Sequence, residues 1–130
     1  MTIDTIVEVL RNSYDYPKGS DITTFVTKMM EADKILYEQE GFGFYVKCSD
    51  EMIEKIANDH LFILNPDNLI EIFKSTGDNV HFFGVVSTTH NGMHGILKGL
   101  KDIVLKEKPK SFSWWDKNMK HFHRRNLCHR

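Results

Sequence analysis

Little in this 130-residue sequence would staple, embed or export it. Two cysteines, Cys48 and Cys128, have neither the number nor the spacing of a disulfide framework or a zinc site. Free thiols in a reducing compartment are therefore expected. No run of about 18 apolar residues is present, so no membrane partner is expected. The opening stretch, MTIDTIVEVLRN, carries acids where a signal peptide needs a basic region and a long apolar core. A cytoplasmic location follows as the expectation. Internal repeats and low-complexity tracts are also missing.

What is present is enough for one folded unit. Hydrophobic residues make up 41% of the chain, and a domain of this length buries roughly two-thirds of its unfolded surface. A single domain over 1–130 is the reading, with a helical N-terminal part over about 1–60. The net charge of −1 conceals an asymmetry. Residues 1–100 hold 8 Lys/Arg against 15 Asp/Glu, whereas residues 101–130 hold 9 against 3. Such a basic end suits an anionic ligand or partner, or simply packs beside the acidic body.

Periodicity gives the elements. Ile3, Ile6, Val7 and Leu10 predict a first helix capped by Thr2. Ser20 or Asp21 would cap a second, with Ile22, Phe25, Val26, Met29 and Leu36 on one face. GFGFYVKC reads as a strand, and SDEMIEKIAND as a helix capped by Ser49. HLFIL is a short apolar strand. LIEIFKS and VHFFGVVSTT are β-rich runs, joined by the hairpin signal TGDN. After HNGMHG a helix places Met93, Ile96, Leu97, Leu100 and Val104 on one stripe, and KPK ends it. SFSWW is a further strand, and DKNMKHFHRRNL a last helix starting at Asp116. The expected class is α/β (α+β), a mixed and partly antiparallel sheet with helices on both faces.

The order over residues 68–127 resembles the acyl-CoA-binding half of the GNAT-type N-acyltransferases, in a degenerate and C-terminally trimmed form. In this match VHFFGVVSTT is the family's central strand, HNGMHG its turn and ILKGLKDIVLKE the helix that follows. SFSWW is then the next strand and DKNMKHFHRR the closing helix. The two N-terminal helices suit the family's layout as well. Of the family's turn pattern only the central glycine is kept, as Gly95. The family adds two strands after the closing helix, whereas this sequence ends at Arg130. Either the fold is trimmed, or a partner copy completes the sheet as a homodimer.

The resemblance implies an acetyl-CoA or other acyl-CoA cofactor, and an amine acceptor on a small molecule or a protein. It places the cofactor's phosphates on Ser87, Thr88, Thr89, Asn91, Gly92, His94 and Gly95, with Lys98 adding charge. Those residues can equally form a plain strand-to-helix connection. Acyl transfer needs a base for the amine proton and an acid for the departing thiolate. Glu71, the one acid inside an apolar run, and His81 are the candidate bases. Each has a structural reading too, as the wet side of a strand or an edge residue. His123 falls where the family carries its acid.

No metal is expected, because the His121–His123 spacing does not put two ligands on one helix face. SFSWWDKNMKHFHRR interleaves aromatic and basic residues in the manner of single-stranded nucleic-acid binders. Nucleic acid is nevertheless not the expected partner. The alternative from another class is a non-catalytic interaction protein, of phage or mobile-element origin, that keeps the fold without the chemistry.

Overall fold

The computed structural model describes residues 2–14, 16–17, 19–38 and 41–127. Helix α1 (Ile3–Ser13) starts where the Thr2 hydroxyl accepts from the Thr5 N–H, and it buries Ile6 and Leu10 completely. Helix α2 (Ile22–Glu31) is capped by Asp21, whose carboxylate accepts from both the N–H and the hydroxyl of Thr24. Those bonds favour its charged form and hold Asp21 below the ordinary carboxyl value. The helix stops at Glu31, so Leu36 belongs instead to strand β1 (Ile35–Glu38). Asp33, with φ of 55°, makes the break. Strand β2 (Gly41–Cys48) and helix α3 (Asp50–Asn58), with Ser49 accepting from the Met52 N–H, form as expected.

Two expected strands are helical. HLFIL contributes only a 3-10 turn over Phe62–Leu64. The run LIEIFKS lies in helix α4 (Pro66–Lys74). Its start signal precedes the apolar run: Asn65 accepts from the N–H groups of Asp67 and Asn68, Pro66 occupies the first turn, and Asp67 complements the dipole. Leu69 and Ile72, three residues apart, are its buried pair. TGDN therefore joins a helix to a strand and closes no hairpin.

Strand β3 (Asn79–Ser87) leads into helix α5 (His90–Glu107), which is followed by strands β4 (Ser111–Trp115) and β5 (Phe122–Asn126). The expected closing helix at Asp116 is this last strand. Asp116 Oδ1 accepts from the N–H groups of Lys120 and His121, and Met119 adopts a φ of 59°. The chain thus reverses and pairs Trp114 with His123.

The five strands form one mixed sheet in chain order, antiparallel except for the β3–β4 pair. Helices α1 to α4 cover one face, against Phe44, Val46 and Phe83. The other face carries α5, packed through Ile96 and Leu100 on Val80 and Phe82. The fold is α+β with helices on both faces, as expected.

The parallel pair is pinned at one end and open at the other. At the pinned end, buried Asn79 donates to the Cys48 carbonyl (3.2 Å) and to Asp50 (2.8 Å). Its own oxygen accepts from Ser111 and from Arg124 (3.1 Å). One side chain so ties β2, β3, β4 and β5 together. Burial pushes the neighbouring Cys48 thiol up to about 12, which keeps it protonated and unreactive at neutral pH. Cys128 lies outside the described residues.

At the other end β3 carries a bulge. Phe83 pairs with Phe44 and Val86 with Phe42, so β3 fits one more residue than β2 into the same interval. Gly84 takes up the irregularity with a φ of 64°, a conformation that glycine alone adopts without strain. Pairing with β4 ends just before it, at Phe82 and Trp114. The tyrosine at the end of α1 reaches this point: the Tyr14 hydroxyl donates to the Val85 carbonyl at 3.0 Å.

Candidate functional site: a cleft where the sheet opens

Where β3 and β4 part, a cleft of about 700 Å³ opens. Its lining comes from both faces of the sheet. Phe82, Phe112 and Trp114 belong to the α5 side, and Phe83, Trp115 and Tyr14 to the side of α1 to α4. The cleft therefore passes through the sheet at the bulge instead of resting on one face. Leu97, Leu100 and Val104 of α5 form an aliphatic wall. Leu97 is 54% exposed there, although the helical stripe placed it in the core. The volume lies in the ordinary range for small-molecule and cofactor sites.

Charged groups line the same cleft. Lys101, Lys117 and Arg125 bring three cations, and Asp116 one carboxylate. Burial raises the pKa of Asp116, but the N–H groups of His121 and Lys120 and the nearby charges of His121 and His123 outweigh that effect. The net result lies below the ordinary carboxyl value, so Asp116 is an anion at neutral pH. Its Oδ2 stands 3.9 Å from Nε2 of His123. The His123 ring stacks on Trp114, with centroids 5.1 Å apart and planes 16° apart. An imidazole beside an ionised carboxylate at the edge of an apolar cleft can accept and return a proton.

The residues expected to act together from sequence are dispersed. Glu71 sits on the exposed surface of α4, beside a separate shallow depression lined by Ser49, Glu51 and Lys74. The reason for choosing it, an acid within an apolar strand, falls with the strand. His81 is fully buried on the α1–α4 side, with Nδ1 2.8 Å from the Ser113 hydroxyl and its ring stacked on Phe122. Burial pushes its pKa down to about 3, so it is neutral and sealed from the cleft. None of the three catalytic candidates lines the cleft; His123, on a strand, touches it only through Trp114 and Asp116.

HNGMHG is not a free turn but the opening of α5. Thr89 caps the helix, its hydroxyl accepting from the Gly92 N–H at 3.0 Å and its carbonyl from the Met93 N–H at 3.1 Å. Ser87 braces that cap through a hydroxyl bond to the Thr89 carbonyl (2.9 Å). Thr88 and Asn91 are exposed, and so is Lys98 about two turns on. Gly92 and Gly95 are helical, not left-handed. A Cβ on Gly95 would stand 3.1 Å from the exposed Glu38 carboxylate, a tight contact of β1 on α5 that this side chain can relieve by a small shift. The candidate phosphate residues do not themselves line the cleft. Val85, just before them in sequence, and Leu97, between Gly95 and Lys98, both do.

Several site features were not among the expected ones: Gly84, Tyr14, Asp116 and Arg125. A signal existed for Gly84, since an isolated glycine in a β-run often marks a bulge. No family model, curated protein or solved structure matches the chain. Among the described residues no helix is long and apolar enough to cross a membrane.

Proposed function

We propose that the protein is an acyl-CoA-dependent N-acyltransferase, moving an acetyl group to an amine of a small molecule or a protein. The observation that carries this reading is the cleft through the sheet at the Gly84 bulge, where a parallel strand pair opens beside the start of a helix. Its apolar walls suit the pantetheine arm of an acyl-CoA, and Lys101, Lys117 and Arg125 suit its phosphates. The first N–H groups of α5, on His90 and Asn91, have no acceptor within the helix and add positive potential at the end of β3.

The acyl-CoA supplies the activated acyl group. In this reading Trp114 holds the His123 ring in place by stacking on it, and Asp116 stands beside its Nε2. His123 takes the proton as the amine nitrogen attacks the thioester carbon. It returns that proton to the sulfur as the carbon–sulfur bond breaks, leaving an amide and free coenzyme A. Free-thiol release from acetyl-CoA, followed over a panel of amines, tests the assignment. His123→Gln is expected to lower the rate by roughly 10²- to 10⁴-fold with little change in acetyl-CoA affinity. An unchanged rate would remove His123 from the chemistry.

A second reading has its own support. Glu71 and His81 stand away from the cleft, and among the described residues no helix follows β4 to supply the family's acid. A non-catalytic interaction protein would bind coenzyme A or another anionic ligand in the cleft and release no thiol.

A further inference from the structure

We infer that His90 and His94 form a two-ligand site for a first-row transition-metal ion of the Cu²⁺ or Ni²⁺ type on the first turns of α5. Residues four apart share one face of a helix. Both imidazoles are exposed, and their Nε2 atoms stand 3.0 Å apart. The rings are nearly perpendicular, with centroids separated by 4.5 Å.

Two nitrogens 3.0 Å apart, each ~2.05 Å from one ion, subtend about 94° at that ion. A tetragonal site has adjacent ligands near a right angle, and imidazole in such a geometry suits Cu²⁺ and Ni²⁺. Tetrahedral zinc would require the nitrogens about 3.3 Å apart. Without a metal the same contact needs one ring to donate and the other to accept.

The backbone sets both residues on one helix face independently of any ion, because the Thr89 cap fixes the turn on which His90 lies. The positive end of the helix dipole opposes a cation here, while the Glu38 carboxylate packed at Gly95 brings negative charge close by. Among the described residues no third His, Cys, Asp or Glu completes a cluster of three. The remaining coordination positions therefore go to water or to an exchangeable donor, and the ion is a readily exchanged one. This inference does not depend on the acyltransferase reading, and its test contains no acyl-CoA.

The test is calorimetric titration of the full chain with Cu²⁺ in a non-coordinating buffer, paired with electron paramagnetic resonance of the loaded protein. The expected result is a tetragonal Cu²⁺ signal with nitrogen coupling, and binding at least about tenfold weaker in either His90→Gln or His94→Gln. His121→Gln and His123→Gln are expected to retain that signal. Both helix positions are exposed, so the folded state of each variant can be verified by circular dichroism. Unaltered binding in His94→Gln, or a signal lost only in the His121 and His123 variants, would overturn the assignment and place the ion on the C-terminal histidines. No Cu²⁺ binding at all would also overturn it, leaving a hydrogen bond between the two rings.

Discussion

Gly84→Val is expected to destabilise the protein by about 2–6 kcal/mol in urea denaturation, a large part of the ~5–15 kcal/mol available to a domain. Two costs combine at this position. A β-branched residue at a φ of 64° is strained, at about 1–3 kcal/mol. Its Cβ would also stand 3.0 Å from both Leu10 Cδ2 and Phe44 Cδ2, which are buried and cannot retreat into solvent. Overpacking of that kind costs about 1–3 kcal/mol. Gly84→Ala meets the same first contacts with less bulk beyond Cβ, so a smaller loss is expected. If Gly84→Val loses under 1 kcal/mol, the bulge relaxes without cost and is not what opens the sheet.

His81 supplies the second large effect, as a dependence of stability on pH. In the unfolded chain an ordinary histidine takes up a proton near pH 6.5. The folded protein, with His81 buried and its pKa near 3, does not. Between these values the unfolded state binds more protons, so stability falls as pH falls. The slope approaches about 1.4 kcal/mol per pH unit from this one group. Asp21, Asp50 and Asp116 all lie below the ordinary carboxyl value. They act in the same direction, but only once carboxyls begin to protonate in the unfolded chain, below about pH 4–5. The window from pH 6.5 to 5 therefore isolates the histidine. His81→Asn, which keeps a partner for Ser113, should flatten chemical-denaturation stability across that window, whatever its effect at pH 7. A wild-type slope retained in the variant would show that another group carries the acid response.

Most of the framework was legible in the sequence because caps and periodicity agreed with tertiary packing. Thr2, Asp21 and Ser49 all serve as the helix caps they resemble. Of the stripe expected on α5, Ile96, Leu100 and Val104 pack on the sheet together with Ile103, which was not assigned to it, whereas Leu97 is exposed and lines the cleft. LIEIF misled because its β-branched residues favour a strand in isolation, whereas Asn65 and Pro66 had already started a helix. The segment after Asp116 misled for the opposite reason. Its polar residues are compatible with a helix, and its reversal uses Met119 in a left-handed conformation that sequence normally assigns to glycine or asparagine.

The site was less legible than the fold, and for a specific reason. A cleft produced by one bulge and one early end to strand pairing has no local signature beyond a lone glycine. The Asp116–His123 pair depends on a hairpin that sequence did not disclose. His81 offered the right residue type on the central strand, but alternation of side chains sends it to the face opposite α5, where packing excludes water.

The acyl-CoA reading is tested most directly by calorimetric titration of the full chain with coenzyme A and acetyl-CoA, alongside Leu97→Glu. That position is exposed on the cleft wall, so the added carboxylate can repel an anionic ligand without entering the core. Saturable binding of both ligands, weakened about tenfold or more in Leu97→Glu, is the predicted result. The absence of heat and of any thermal shift with either ligand at millimolar concentration would contradict the assignment.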